Sequence, residues 1–278
     1  MSRLYLCDIS AIAIWLYKSR LATVGPEFDD AGLACGMLLG VHDWFVDLYE
    51  KFQPTYIAAC LDGANNWRKE RYAEYKANRP EKEEDLVAQL RMLPNELAGL
   101  GLPIIRHTGF EGDDVIATLA ARHCDEREVM IVTTDKDMLQ LVSDSVSVFD
   151  PRGGLLFDAA GVVDKHGVPP HRMRDYLALM GDSSDNVPGV TGVGKKFAAA
   201  AVAQTRSLPE LVRKAAAGAL KGIKAAPQAA IAASSASGEL ALWHELVGLR
   251  FDVPVTETID DLRLAQPGQC PKSVTSAA

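Results

Sequence analysis

The chain has 278 residues, of which 48% are hydrophobic and 24% charged, enough for a real core in one large domain or two modest ones. No uncharged run is long enough to cross a bilayer, and five scattered cysteines (Cys7, Cys35, Cys60, Cys124 and Cys270) with no C-x-x-C pair exclude a disulfide framework and a zinc site, favouring a reducing, cytoplasmic setting. The formal net charge of −8, taken alone, weighs against a nucleic-acid partner.

The opening "MSRLYLCDISAIAIWLY" has the look of a signal peptide, but Asp8 interrupts its apolar part and no small-residue cleavage site follows. The alternating "RLYLCDI" reads instead as a first strand ending at Asp8. A helical stretch at about 29–52 leads to "PTYIAACLD", a strand ending at Asp62. A basic segment, 65–82, precedes a second helical stretch at 83–100 and a short strand in "LGLPIIRH". "GFEGDDVIATLA" then places Glu111, Asp113 and Asp114 at the head of a helix over 113–123. "EVMIVTTDKD" is a strand ending at Asp135 and Asp137, and "VSVFDP" adds another. Apolar strands alternating with amphipathic helices predict an α/β fold with a mostly parallel sheet. From about residue 160 the pattern turns helical, and 263–278 reads as a mobile tail.

In an open α/β sheet, ligands bind beyond the carboxyl ends of the strands. Asp8, Asp62, Asp135 and Asp137 sit at such ends, and Glu111, Asp113 and Asp114 follow another. Any one of them is explained as a turn former or a helix cap. Together they need a cation, because unpaired buried carboxylates cannot all stay ionised. "GDSSDN" adds Asp182 and Asp185, making nine candidates. Hard divalent ions choose such oxygen ligands and bridge them to phosphate. With those nine set aside, 28 acids remain against 29 basic residues, so the rest of the surface is near neutral and the charge objection weakens.

Two further segments suit nucleic acid. If 65–82 is helical, Arg68, Tyr72, Tyr75, Lys76 and Arg79 form one stripe of cations and aromatic rings, with Arg71 nearby. The alternative is a solvated helix with its tyrosines on the core. "PGVTGVGKK" offers Gly189, Gly192 and Gly194 beside Lys195 and Lys196, either a phosphate cradle at a helix start or a plain turn.

Taken together, "LDG" at 61–63, "RYAEYKANR" at 71–79, "EGDD" at 111–114, "TTDKDMLQL" at 133–141 and "GDSSDNVPGVTGVGKK" at 181–196 resemble the 5′-nuclease family. That family includes the 5′→3′ exonuclease domain of bacterial DNA polymerase I, phage 5′-exonucleases and flap endonucleases. The resemblance runs from Asp8 to about residue 255. It implies a PIN-like, resolvase-like nuclease core at 1–160 with a helical arch at about 64–100, then a helix–three-turn–helix DNA-binding region within 161–262. It implies that all nine acids hold two Mg²⁺ ions, with Mn²⁺ able to substitute, and that a K⁺ ion sits at the hairpin. It makes Lys76 and Arg79 catalytic cations and Tyr75 a base-stacking residue. The partner it implies is branched or 5′-ended DNA, cut by a monomer with no membrane association. No polymerase sequence follows, so a stand-alone nuclease is expected. Gly112 where the family often has alanine, Cys60, and alanines beyond 196 are departures, the last expected to weaken duplex affinity. The rival readings are a PIN-type ribonuclease or phosphatase, which needs neither the hairpin nor the stripe, and a junction-binding protein with a decayed site.

Overall fold

Six short apolar runs build one sheet: β1 (Leu4–Asp8), β2 (Tyr56–Leu61), β3 (Ile104–Arg106), β4 (Val129–Val132), β5 (Val146–Asp150) and β6 (Leu155–Phe157). The computed structural model describes residues 2–265, so most of the expected tail, with Cys270, lies outside the described residues. The strand order is β3-β2-β1-β4-β5-β6. The first five are parallel, and β6 runs antiparallel to β5. Side chains alternate between faces: Leu4, Leu6, Ala58, Cys60, Val129 and Ile131 join one apolar cluster, while Tyr5, Cys7, Ile57, Ala59, Met130 and Val132 join another. Both faces are covered, which is why the strands read as continuous apolar runs rather than alternating ones.

Between β1 and β2 lie α1 (Ile9–Thr23) and α2 (Gly36–Phe52). Between β2 and β3 lie the short α3 (Trp67–Arg71) and α4 (Glu84–Gly99), and α5 (Gly112–His123) leads into β4. Residues of α1, α2 and α4 pack on the Tyr5 and Cys7 face, and those of α5 on the Leu4 and Leu6 face. The chain therefore leaves β1 towards β2 and returns to its other side as β4. The crevice at the carboxyl ends of β1 and β4 is the switch point where such sheets bind ligands.

The remaining helices are α6 (Ala159–His166), α7 (Met173–Met180), α8 (Lys195–Ala203), α9 (Leu208–Ala216), α10 (Ala225–Ser237) and α11 (Glu239–Leu246). Their buried residues, among them Leu177, Val202, Leu211, Ile231 and Trp243, belong to the same cluster as α5, so the helical region extends the core on that face. Gly181 and Gly189, with φ of +80° and +69°, close the loop between α7 and α8. A Cβ on Gly189 would lie 2.3 Å from the Gly181 amide nitrogen, so the two backbones meet only because neither carries a side chain.

Three expectations need correction. The apolar run after Asp8 forms α1, a helix the strand reading passed over; Asp8 starts it by accepting a hydrogen bond from the Ala11 amide. Residues 29–35 are not helical, because Asp29 turns the chain by accepting from the Ala31 and Leu33 amides, and α2 begins at Gly36. The stripe from Arg68 to Arg79 does not form as one helix face. Helix α3 stops at Arg71, Tyr72 is extended, and Lys76 takes a left-handed φ of +57°. The buried acids described below draw Arg68, Tyr75 and Lys76 inward, and that competes with helix continuation.

Gly63 follows Asp62 where the loop before α5 crosses it, with its amide donating to the Phe110 carbonyl. A Cβ there would lie 1.8 Å from the His107 carbonyl oxygen. Gly63→Ala is expected to cost about 1–3 kcal/mol, several degrees of melting temperature for a chain of this size. Thermal unfolding followed by circular dichroism checks this, and an unchanged midpoint would show that the crossing loop yields freely.

Candidate active site at the carboxyl edge of the sheet

Asp8 ends β1 and is 3% exposed. One oxygen accepts from the Ala11 amide at 3.0 Å, and the other from the Thr133 hydroxyl at 2.6 Å. Thr133 follows β4 and accepts in turn from the Asp135 amide at 2.9 Å, while Asp135 accepts from the Asp137 amide at 2.8 Å. This relay spans the switch point and ties three strand-end acids together. Asp62 follows β2 and accepts from the Gly112 amide at 2.9 Å, which fixes the start of α5, and its own amide donates to Ser10. That contact brings Glu111 and Asp113 to the same edge. Among the described residues the Asp113 side chain takes no hydrogen bond, and Asp137 Oδ1 is buried without one.

Burial and crowding raise the proton affinity of four of these acids. Burial pushes the Asp8 carboxyl up to about 7 against the lowering effect of its two hydrogen bonds, and Asp62 and Asp135 add repulsion. Asp113 and Asp137 are raised well above the carboxylate range, by burial first and then by neighbouring acids. Asp135 is raised for the same reasons. Asp182 goes the other way: burial opposes ionisation, but hydrogen bonds from Lys136 and Ser184 outweigh it.

Cations offset part of the repulsion. Lys76 bonds to Glu111 and lies 3.7 Å from Asp185. Arg79 bonds to Asp185 at 2.8 Å and to the Ser184 carbonyl at 3.1 Å. Lys136 bonds to Asp182 and lies 3.5 Å from Asp137 Oδ1. The Tyr75 hydroxyl lies 2.9 Å from Glu111 and 2.7 Å from Asp185, and with one proton it donates to one carboxylate at a time. Both lysines are held charged, because the neighbouring carboxylates outweigh the effect of burial.

The structure thus brings eight of the nine expected acids to one edge. Asp114 differs: it is fully buried and accepts from Arg68, from Trp67 Nε1 at 3.0 Å and from the Arg250 amide at 3.0 Å. Breaking such a buried pair by removing one partner costs about 3–5 kcal/mol. Arg68 and Tyr75, at 3% and 2% exposure, do not line an open surface here. Tyr72 packs edge-on against Trp243 at 5.3 Å, and Arg71 pairs with Glu245 at 3.0 Å. Arg79, Gly192, Gly194, Lys195 and Lys196 are exposed, whereas Gly189 is buried in the loop closure. The sequence reading missed Thr133 and Lys136, although the run "TTDKD" sets a hydroxyl and a cation among strand-end acids.

An all-carboxylate donor set, four of whose members are raised in proton affinity and one of which, Asp137, has a buried oxygen without a hydrogen bond, suits a hard divalent ion. Among the described residues, no three His, Cys, Asp or Glu side chains are arranged to hold an ion as they stand. Glu111, Asp137, Asp182 and Asp185 are partnered by lysine and arginine instead.

A mostly parallel sheet with acids at its switch point, followed by a helical region, defines an α/β class whose ligand site lies at the carboxyl edge of the strands. Residues 3–167 match the family model for the 5′-3′ exonuclease N-terminal resolvase-like domain, and residues 168–269 that for the 5′-3′ exonuclease C-terminal SAM fold. The chain belongs to the 5′-3′ exonuclease family. It is 32% identical over 269 residues to the 5′-3′ exonuclease of Aquifex aeolicus, covering 96% of this chain and 88% of that one. It is 39% identical over 239 residues to DNA polymerase I of Mycobacterium bovis, covering 84% of this chain but 26% of the polymerase. The chain therefore spans about a quarter of the length of the mycobacterial polymerases it matches. A pseudo-enzyme–product complex of the bacteriophage T5 flap endonuclease with DNA and metal ions shares the fold, with a TM-score of 0.71 at 19% identity over 88% of each chain.

The raised proton affinity of Asp8 sets a stability profile. Unfolded, this carboxyl titrates near 3.8; folded, near 7. The folded state therefore holds the extra proton between those limits, and that contribution is present below about pH 4 and lost as pH rises to about 7. Melting temperatures in chelator are expected to fall by several degrees from pH 5 to pH 7.5, and Asp8→Asn should flatten the slope. A midpoint that rises over that range would contradict the assignment.

Proposed function

We propose that the chain is a divalent-metal-dependent 5′ nuclease that hydrolyses phosphodiesters in branched or 5′-ended DNA. The observation that carries this reading is the convergence of Asp8, Asp62, Glu111, Asp113, Asp135, Asp137, Asp182 and Asp185 on the switch-point crevice of a 5′-3′ exonuclease fold. These residues would hold Mg²⁺, or Mn²⁺ in its place, once Lys76 and Lys136 yield their contacts. Such ions, when bound, supply Lewis-acid polarisation of the phosphate and activation of the attacking water.

The chain's own residues do the rest. Lys76 and Arg79, both within reach of Asp185, lie on one short segment and can turn from carboxylate to phosphate oxygens without leaving the edge. There they would counter charge that develops on the phosphoryl group. Thr133 ties the Asp8 carboxylate, to which its hydroxyl donates, to the Asp135 backbone amide, from which it accepts, across the switch point. Tyr75, buried with its hydroxyl against Glu111 and Asp185, would stack a base only once the segment opened. The exposed amides around Gly192 and Gly194, with Lys195 and Lys196, offer a backbone-directed grip on duplex, and that loop is also where K⁺ would bind. Phosphate contacts of this kind predict little sequence preference and steep salt dependence. Among the described residues, no helix is long and apolar enough to cross a membrane.

A 5′-labelled flap substrate tests the reading on one gel. Cleavage is expected with Mg²⁺ and none with EDTA. Asp135→Ala should give no detectable product. Lys76→Ala should slow cleavage by about 10²–10³-fold while the protein stays folded. Undiminished turnover in EDTA would remove the metal mechanism. Faster hydrolysis of an RNA hairpin or a simple phosphomonoester would redirect the substrate class.

A further inference from the structure

We propose that Arg68 is a positioning residue that locks Glu111 to the C-terminal helical region, and that Asp114 is its counter-ion and not a metal ligand. The proposal rests on the metal-dependent nuclease reading above. It follows from counting donors and acceptors. A guanidinium has five N–H groups in a rigid fork. Nε donates to the Leu246 carbonyl at 2.9 Å. Nη1 donates to Glu111 at 3.1 Å and to Asp114 at 2.7 Å. Nη2 donates to Asp114 at 2.7 Å and to the Gly248 carbonyl at 2.8 Å. Every donor is used inside the protein, so none is left for a phosphate.

Asp114 is equally committed. An ionised carboxylate offers about four acceptor sites. Arg68 and the Arg250 amide take those of Oδ1, and Arg68 and Trp67 Nε1 those of Oδ2. A metal ion would have to displace one of these in a fully buried place. Its neighbour Asp113, in contrast, takes no side-chain hydrogen bond among the described residues and faces Asp8, Asp135 and Glu111. Two adjacent acids at the start of α5 therefore have different tasks.

The carbonyls that Arg68 binds lie at and just beyond the end of α11, a helix that packs on α7. The segment after α7 carries Asp182 and Asp185. Beside the clasp, Gln140 of the 3₁₀ turn that holds Asp137 donates to the Val247 carbonyl at 3.2 Å. One guanidinium thus fixes Glu111, the base of the 67–79 segment and the helical region relative to one another. A lysine, with a single point of charge, cannot replace this fork.

Two measurements on the full chain decide the matter. In the first, Mn²⁺ binding is counted by electron paramagnetic resonance without substrate. Asp114→Asn should bind as many ions as the wild type, weaker by about tenfold at most, while Asp113→Asn binds fewer. Loss of an ion from Asp114→Asn overturns the counter-ion role. A wild type that binds no Mn²⁺ overturns the metal reading instead and leaves the second measurement to judge Arg68. In the second, flap-DNA affinity is followed against salt. Arg79→Ala should lower the slope of log affinity against log salt by about 1. Arg68→Gln should leave that slope and KM unchanged while kcat falls by about 10–100-fold. A slope reduced by about 1 in Arg68→Gln makes Arg68 a phosphate contact and overturns the proposal. If Arg68→Gln does not fold, the paired variant Arg68→Met with Asp114→Leu, which buries no unmatched charge, takes its place.

Discussion

Repulsion between carboxylates gathered on one edge of the sheet is the constraint around which the molecule is organised. Neighbouring like charges repel by a few kcal/mol at an effective dielectric of about 20, and Asp8, Asp62, Glu111, Asp113 and Asp135 repel one another across this edge. The fold answers in three ways. Backbone amides and a hydroxyl donate hydrogen bonds to the carboxylates, as at Asp8 and Asp62. Protons are retained at unusually high pH on Asp8, Asp113 and Asp137. Lysine and arginine side chains from 76, 79 and 136 close the balance. The sheet supplies rigidity against the strain, because the acids hang from strand ends buried on both faces.

How much of this is written in the sequence depends on the range of the interaction. The parallel sheet was legible because apolar runs ending in aspartate at 8, 62 and 135 are local signals, and strand β3 before Glu111 followed the same logic. Strand β6 was not, since "LLF" at 155–157 is three residues long and pairs only with β5. Helix α1 was hidden because its apolar residues resume directly after Asp8, with no loop to separate it from β1. Connectivity alone sent seven acids to one edge, Asp114 among them, and the run "GDSSDN" added Asp182 and Asp185. The separate fate of Asp114 could not be read in this way, because it depends on carbonyl groups 178 and 180 residues away from Arg68.

The segment from 65 to 82 shows how tertiary contacts override a local pattern. Its spacing of cations and tyrosines suits a helix, yet Tyr75 and Lys76 find better partners in Glu111 and Asp185 than a helix would give them. Asn78 and Arg79 then bond to carbonyls of Ser183 and Ser184, and Asn186 returns a bond to the Glu74 carbonyl. The segment is stitched to the acidic loop by reciprocal contacts. The nucleic-acid affinity read from the spacing of this segment was thus, in part, affinity for the protein's own carboxylates: both are anionic oxygen surfaces, and the same side chains suit either.

The strand register also determines how the site meets oxidants. Cys7 pairs in register with Ala59, and Asp8 with Cys60, so the two thiols lie one step apart on adjacent strands. The alternation that sorts residues between the two apolar clusters sends them to opposite faces, with the sheet between them. Burial also holds both thiols protonated, far above the ordinary range for cysteine. Sulfur atoms beside the acidic edge are therefore neither close enough to crosslink nor ionised enough to react, and the pleat itself acts as their insulation.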